Sequence, residues 1–185
     1  KLGQLYFNAL QSIRTKKNNQ PSWRGLEMFL SKQVPANDPH LEFVYKHFQK
    51  NLEDICSLAH KKGIKVILST VGCNLKDSPP FASLHREDLT DGEIKKWKEL
   101  YHQATIYDTD AKYEKAAQLY MDAADIDHQF AELQFRLGRC FWMLGDFDEA
   151  RQRYIKAREL DTLRFRVDQK INKIIRQTAE TKKNQ

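Results

Sequence analysis

The chain has 185 residues, is 41% apolar and 30% charged, and carries a formal net charge of +6. That length allows one ordinary domain or two small ones with a real core, and no apolar run approaches the ~20 residues that cross a bilayer. Three cysteines, Cys56, Cys73 and Cys140, are odd in number and lack C-x-x-C spacing, which argues against a disulfide framework and for buried thiols. The charge is uneven: residues 1–88 carry 13 basic and 8 acidic groups, residues 89–163 carry 11 and 15, and residues 164–185 carry 7 and 2. The basic residues Arg164, Arg166, Lys170, Lys173 and Arg176 come without a nucleic-acid motif or an aromatic stacking platform. They read as a solvated helix face, and no nucleic-acid partner is expected.

In chain order, the first expected element is an amphipathic helix over 2–13, on the spacing of Leu2, Leu5, Tyr6, Ala9, Leu10 and Ile13. Residues 15–21 read as a loop, and residues 23–34 as a short helix ended by Pro35. A long helix follows over about 39–62, whose apolar face is Phe43, Val44, His47, Phe48, Leu52, Ile55 and Ala59, so that His47 reads as a packed histidine. Gly63 terminates it, and the β-branched run over about 64–71 reads as a strand. A single strand needs partners for its ladder, so its neighbours must come from other chain. The opening at Lys1, with no secretion signal, supports reading the sequence as a piece of a longer protein.

After the strand, residues 72–85 are too rich in proline and turn formers to be helical. In open α/β sheets ligands bind beyond the carboxyl ends of strands, which makes Asn74, Lys76, Asp77 and His85 a candidate substrate-side loop. Asn74 and Asp77 serve equally well as turn residues.

Residues 100–161 repeat at an interval of 34: Tyr107, Tyr113, Ala116, Tyr120, Ala123, Ile126 and Asp127 align with Phe141, Phe147, Ala150, Tyr154, Ala157, Leu160 and Asp161. That interval is the length of the tetratricopeptide (TPR) helix-turn-helix unit. Two units over 89–163 and a basic capping helix over about 165–179, within a closing region 164–185, are expected. The groove of such a solenoid is lined by the first helix of each unit. Its positions here are Tyr101, Thr105 and Asp108, then Phe135, Arg139 and Trp142, then Arg166, Gln169 and Lys173. This mixed aromatic and basic groove suits an acidic peptide or a C-terminal carboxylate of a protein partner. Alternatively, Phe135 and Trp142 pack against the capping helix or the preceding segment.

The strings Asn51-Leu-Glu-Asp-Ile-Cys-Ser-Leu-Ala, Gly63-Ile-Lys-Val-Ile-Leu-Ser-Thr-Val and Asn74-Leu-Lys-Asp-Ser-Pro-Pro-Phe-Ala-Ser-Leu-His resemble the middle of bacterial SGNH/GDSL-type hydrolase-like proteins with inserted TPR repeats. Phe135-Arg-Leu-Gly-Arg-Cys and Leu163-Arg-Phe-Arg-Val-Asp-Gln-Lys-Ile-Asn-Lys-Ile-Ile-Arg resemble the repeat and post-repeat segments of that family, so the resemblance covers about residues 26–176. It implies a mixed, mainly α fold with a partial α/β, flavodoxin-like segment over 1–88. It also implies a membrane-anchored or exported parent that acts on an acyl ester or an acylated carbohydrate.

The sequence departs from that family where the chemistry would lie. It holds no Gly-Asp-Ser nucleophile block and no Gly-x-Asn-Asp oxyanion block, so no catalytic residue is assigned. The formal Asp-x-x-His at Asp125 and His128 falls on repeat positions whose counterparts are Glu159 and Thr162, which marks it as a product of the repeat. The six histidines lack metal-ligand spacing, and no cofactor is expected. Two functions remain open: an internal part of an SGNH-like esterase, itself inactive, or a non-enzymatic TPR scaffold that binds a peptide partner.

Overall fold

The computed structural model describes residues 25–182, so the helix expected over 2–13 and the loop over 15–21 lie outside the described residues. The chain divides into two compact units, residues 1–31 and 32–185. The first described element is a short 3-10 helix, Gly25–Lys32, where a short helix was expected over 23–34. Among its described residues the second contains six α-helices: α1 (His40–Lys61), α2 (Asp91–Thr109), α3 (Tyr113–Ile126), α4 (Ala131–Met143), α5 (Phe147–Leu160) and α6 (Gln169–Lys182).

The end of α1 follows from Gly63, whose φ of +68° is left-handed. With that residue reversed, Gly63 N–H donates to the His60 carbonyl and Ile64 N–H reaches back to the Ala59 carbonyl, which satisfies the last carbonyls of the helix.

The strand expected over 64–71 does not form, and no strand occurs among the described residues. The partial α/β segment is therefore corrected to a helix followed by extended chain. The residues have the right chemistry for a strand, but no second strand lies beside them to complete a ladder. Ile67 is 94% exposed, and Ile64, Val66 and Val71 are also exposed. The run is held at its two ends, Ile64 N–H by the Ala59 carbonyl and Val71 by Asn172. The Asn172 side-chain amide accepts from Val71 N–H at 2.8 Å and donates to the Val71 carbonyl at 2.9 Å, imitating one rung of a sheet.

The face expected for α1 is likewise largely exposed: Phe43, Val44 and Ile55 face solvent, and so does His47. The face that packs includes Tyr45 and the buried Cys56, and α1 lies against α6. Tyr45 donates to the Asp168 carboxylate, whose other oxygen caps α6 by accepting from Ile171 N–H at 2.9 Å.

Helices α2–α3 and α4–α5 are two antiparallel hairpins stacked through α3 and α4. Thr90 and Glu93 form a capping box at the start of α2, and the Asp146 carboxylate caps α5 through Glu149 N–H. Small residues sit where the helices meet: Ala104, Ala116, Ala123, Gly138, Ala150 and Ala157 are all buried. Trp97, Tyr120, Leu133 and Leu137 fill the space between them. The turns inside the hairpins repeat at the same interval. Ala111 (φ 58°) and Gly145 (φ 82°) are both left-handed, and Lys112 and Asp146 donate to the carbonyls of Tyr107 and Phe141.

The third unit breaks the period. By repeat position a capping helix over about 165–179 would stack on α5, but α6 begins at Gln169 and packs on α1 instead. Buried Ile174, Ile175 and Thr178 form its inner face.

Candidate functional site

Residues 71–86, which form neither helix nor strand and turn at Asn74–Asp77, run along the surface of the repeats and are held there at several points. Asp161 closes α5 and is buried; its carboxylate accepts from Phe81 N–H at 3.0 Å and from Ala82 N–H at 3.2 Å. The Ala82 carbonyl in turn accepts from Thr162 N–H at 3.2 Å. Asp127 closes α3 and is fully buried; its carboxylate lies 2.8 Å from His85 Nδ1 and accepts from Arg86 N–H at 3.4 Å.

Between these anchors, Ser83 supplies what α4 lacks. Phe130 at the N-cap has no side chain able to cap the helix, and the Ser83 hydroxyl accepts from Glu132 N–H at 2.9 Å. The extended segment therefore caps a repeat helix from outside the repeat. The His85 ring also packs between Trp97 and Phe130, each with ring centroids 4.6 Å away.

The remaining loop candidates fall elsewhere on the same segment. Asn74 and Asp77 form a turn: Asp77 N–H donates to Asn74 Oδ1 at 3.0 Å, and Asn74 Nδ2 donates to the Asp77 carboxylate at 3.3 Å. The Lys76 ammonium lies 4.6 Å from the centroid of the Trp142 ring. One loop candidate and one groove candidate are thus in direct contact.

Six of the groove positions lie on α2 and α4. Tyr101 stacks on Trp97 at 4.7 Å, and Thr105 donates to the Tyr101 carbonyl while contacting the Tyr120 hydroxyl at 3.3 Å. Burial pushes the Tyr101 and Tyr120 hydroxyls above their ordinary range. The Asp108 carboxylate is buried beside two guanidinium groups, Arg136 at 3.7 Å and Arg139 at 3.8 Å. Its Oδ1 has no hydrogen-bond donor, and Arg139 is half exposed. Phe135 packs on Tyr154 with centroids 5.2 Å apart, so it lies against α5. Trp142 stays partly exposed beside Phe147.

The positions from the third unit part company with these. Arg166 is held by Asp161 at 2.9 Å and by the Ser78 carbonyl at 2.6 Å. Gln169 and Lys173 line a separate cavity between α5 and α6. The formal Asp-x-x-His is dispersed: Asp125 and His128 are exposed, and the buried carboxylate of that string is Asp127. Among the described residues no group of three His, Cys, Asp or Glu side chains is placed to hold a metal ion, and no helix is long and apolar enough to cross a membrane.

Sequence reasoning did not select Ser83, Asp127 or Asp161 as functional positions. The signal for the two aspartates was present in the repeat, since an acidic residue closes the second helix of both units 34 residues apart. Nothing in the sequence marked Ser83, because its role depends on where the segment docks.

Residues 110–169 match the family model of the tetratricopeptide repeat. Together with the two stacked hairpins, this defines a TPR-like helical solenoid. No curated protein and no solved structure matches the chain. The resemblance to SGNH hydrolases therefore finds no counterpart in these comparisons, and the described residues hold no sheet on which such a site would be built.

Proposed function

We propose that this chain is a non-catalytic scaffold that binds an extended segment of a partner protein on the α2–α4 face of its repeats. The observation that carries this reading is internal. Both repeats already hold a stretch of the chain's own backbone, each through a buried carboxylate at the end of its second helix, and that stretch reaches α4 through Ser83 and through Lys76 over Trp142. Backbone recognition of this kind accepts many sequences, and side chains beside it supply selectivity.

On the open part of that face, half-exposed Arg139 and partly exposed Trp142 supply a cation and an aromatic surface. They suit a partner segment that carries a carboxylate next to an apolar residue. The TPR match supports protein binding, and the absence of nucleophile and oxyanion blocks in the sequence supports a role without ester chemistry.

The test is selection of binding peptides from an array of acidic-aromatic sequences, followed by titration against Arg139→Glu and Trp142→Ala. Each variant should weaken binding at least tenfold, about 1.4 kcal/mol, with thermal melts establishing that it remains folded at the assay temperature. Binding indifferent to both substitutions would sink the proposal. So would ester hydrolysis by the purified chain, or covalent labelling by a serine-directed fluorophosphonate.

A further inference from the structure

The departure of α6 from the repeat stack leaves a trench between α5 and α6, a cavity of about 760 Å³. In a regular array the next helix would pack into this space. Here α6 turns to α1, and the two walls face each other across solvent.

Both walls are basic. On α5, Arg151, Ile155 and Arg158 share one face at spacings of four and three. On α6, Lys170, Lys173 and Arg176 do the same at spacings of three. Arg158 is paired with Glu159 at 2.6 Å, and Lys170 is paired with Glu42. Arg151, Lys173 and Arg176 are exposed and make no hydrogen bond or ion pair among the described residues. Glu159 is the one acidic side chain lining the trench, and its charge is already engaged. Three unpaired cations thus converge on a concave space, with Leu75 and Ile155 as its apolar lining.

We infer that this trench is a docking site for an acidic polypeptide segment, separate from the α2–α4 face and independent of what binds there. The argument is charge complementarity at matched length. The two walls together present five cations, three of them unpaired, along about 10 Å or two turns of helix, which is longer than a single anion and suits several carboxylates in sequence. The apolar lining accepts a hydrophobic side chain between those carboxylates. No aromatic side chain lines the trench, so it lacks the stacking platform that single-stranded nucleic acid uses.

The experiment uses the full chain and a fluorescein-labelled hexaglutamate peptide, followed by fluorescence polarisation across a salt series. Affinity should fall steeply with added salt, and the double variant Lys173→Glu/Arg176→Glu should lose at least tenfold, as should Arg151→Glu. Lys96→Glu, an exposed α2 position outside both sites, should leave hexaglutamate binding unchanged, and an acidic-aromatic peptide selected for the α2–α4 face should bind the Lys173→Glu/Arg176→Glu variant like the parent chain, which separates failure here from failure of the proposed function. Thermal melts establish that the variants fold, and Lys173→Gln with Arg176→Gln provides a milder pair with the same expected direction. The inference is overturned if these variants bind hexaglutamate like the parent chain. It is equally overturned if inorganic phosphate or an oligothymidylate of equal charge competes better than the peptide.

Discussion

Asp127 and Asp161 stand 34 residues apart in sequence, each closes the second helix of its hairpin, and each is buried against the same extended segment. Their surroundings differ in one respect. Asp161 also faces the nearly buried Arg166 guanidinium at 2.9 Å, whereas Asp127 faces the His85 ring.

That difference predicts unequal costs. Asp161→Ala strands a buried guanidinium and several amides and should destabilise the chain by ~3–5 kcal/mol. Asp127→Ala leaves hydrogen-bonding groups unsatisfied and should cost ~1–3 kcal/mol. Urea unfolding measures both. In native-state hydrogen exchange, Asp161→Ala should strip protection from the amides of Phe81 and Ala82; unchanged protection there would refute the anchoring role.

Ala111 occupies the left-handed position that Gly145 occupies in the second repeat. A side chain there costs ~1–2 kcal/mol per residue. Ala111→Gly should therefore raise stability by ~0.5–1 kcal/mol once the greater freedom of glycine in the unfolded chain is included. Gly145→Ala should lower it, and thermal melts that move in the same direction for both would contradict this account.

Gly138 admits the ring of Tyr154 against the backbone of α4. A Cβ added there would lie 2.9 Å from Tyr154 Cδ1. Because Tyr154 is itself buried, the ring has little room to retreat. Gly138→Ala should cost ~1–3 kcal/mol by overpacking, despite the better helix propensity of alanine. Pairing it with Tyr154→Leu should recover part of that loss.

Burial, helped by the nearby Asp108 charge, pushes the Cys140 thiol from 9.0 up to about 12. Burial, followed by the Asp77 charge, moves Tyr154 from 10.0 up to about 12. In both cases the folded state holds its proton more tightly than the unfolded state. The stability these neutral groups contribute is fully present below about pH 9 and is lost as pH rises from there to about 12. Cys140→Ala should flatten the decline of thermal midpoint over that window. An unchanged slope would show that the thiol is not the group responsible.

Ile67 is 94% exposed in the unpaired run 64–71. Ile67→Lys should change stability by less than ~0.5 kcal/mol. It should also reduce self-association, since an unpaired β-branched stretch is a template for other chains. Sedimentation at several concentrations measures that association, and a large loss of stability would show that Ile67 is packed in solution.

The hairpins were legible because the signal was redundant: aromatic, alanine and aspartate positions all recur at one interval, and each has a packing reason. The end of α1 was equally plain, because Gly63 alone permits the reversal that its last carbonyls require. The strand over 64–71 was misread because composition reports what a segment would do with a partner, and no partner strand is present among the described residues. The α1 face failed for a related reason. Periodicity marks an apolar stripe without showing what covers it, and Phe43, Val44 and Ile55 remain uncovered. At the candidate site, repeat register put six groove candidates on α2 and α4 but did not show which of them face solvent: Phe135 packs on Tyr154, and Asp108 is buried. The fate of Arg166 and Lys173 depended on where α6 turned, and no local pattern encodes that.

The segment over 71–86 changes how the repeats share free energy. In a bare solenoid each unit feels only its immediate neighbour, so a defect at one end can fray without disturbing the other. Here one strip of chain is fastened at Val71 to α6, at Phe81 and Ala82 to the end of α5, at Ser83 to the start of α4, and at His85 to the end of α3. Opening any one hairpin loosens the fastening of the others. Residues 71–182 are thereby tied into one cooperative block, with a long-range coupling that nearest-neighbour stacking alone would not supply.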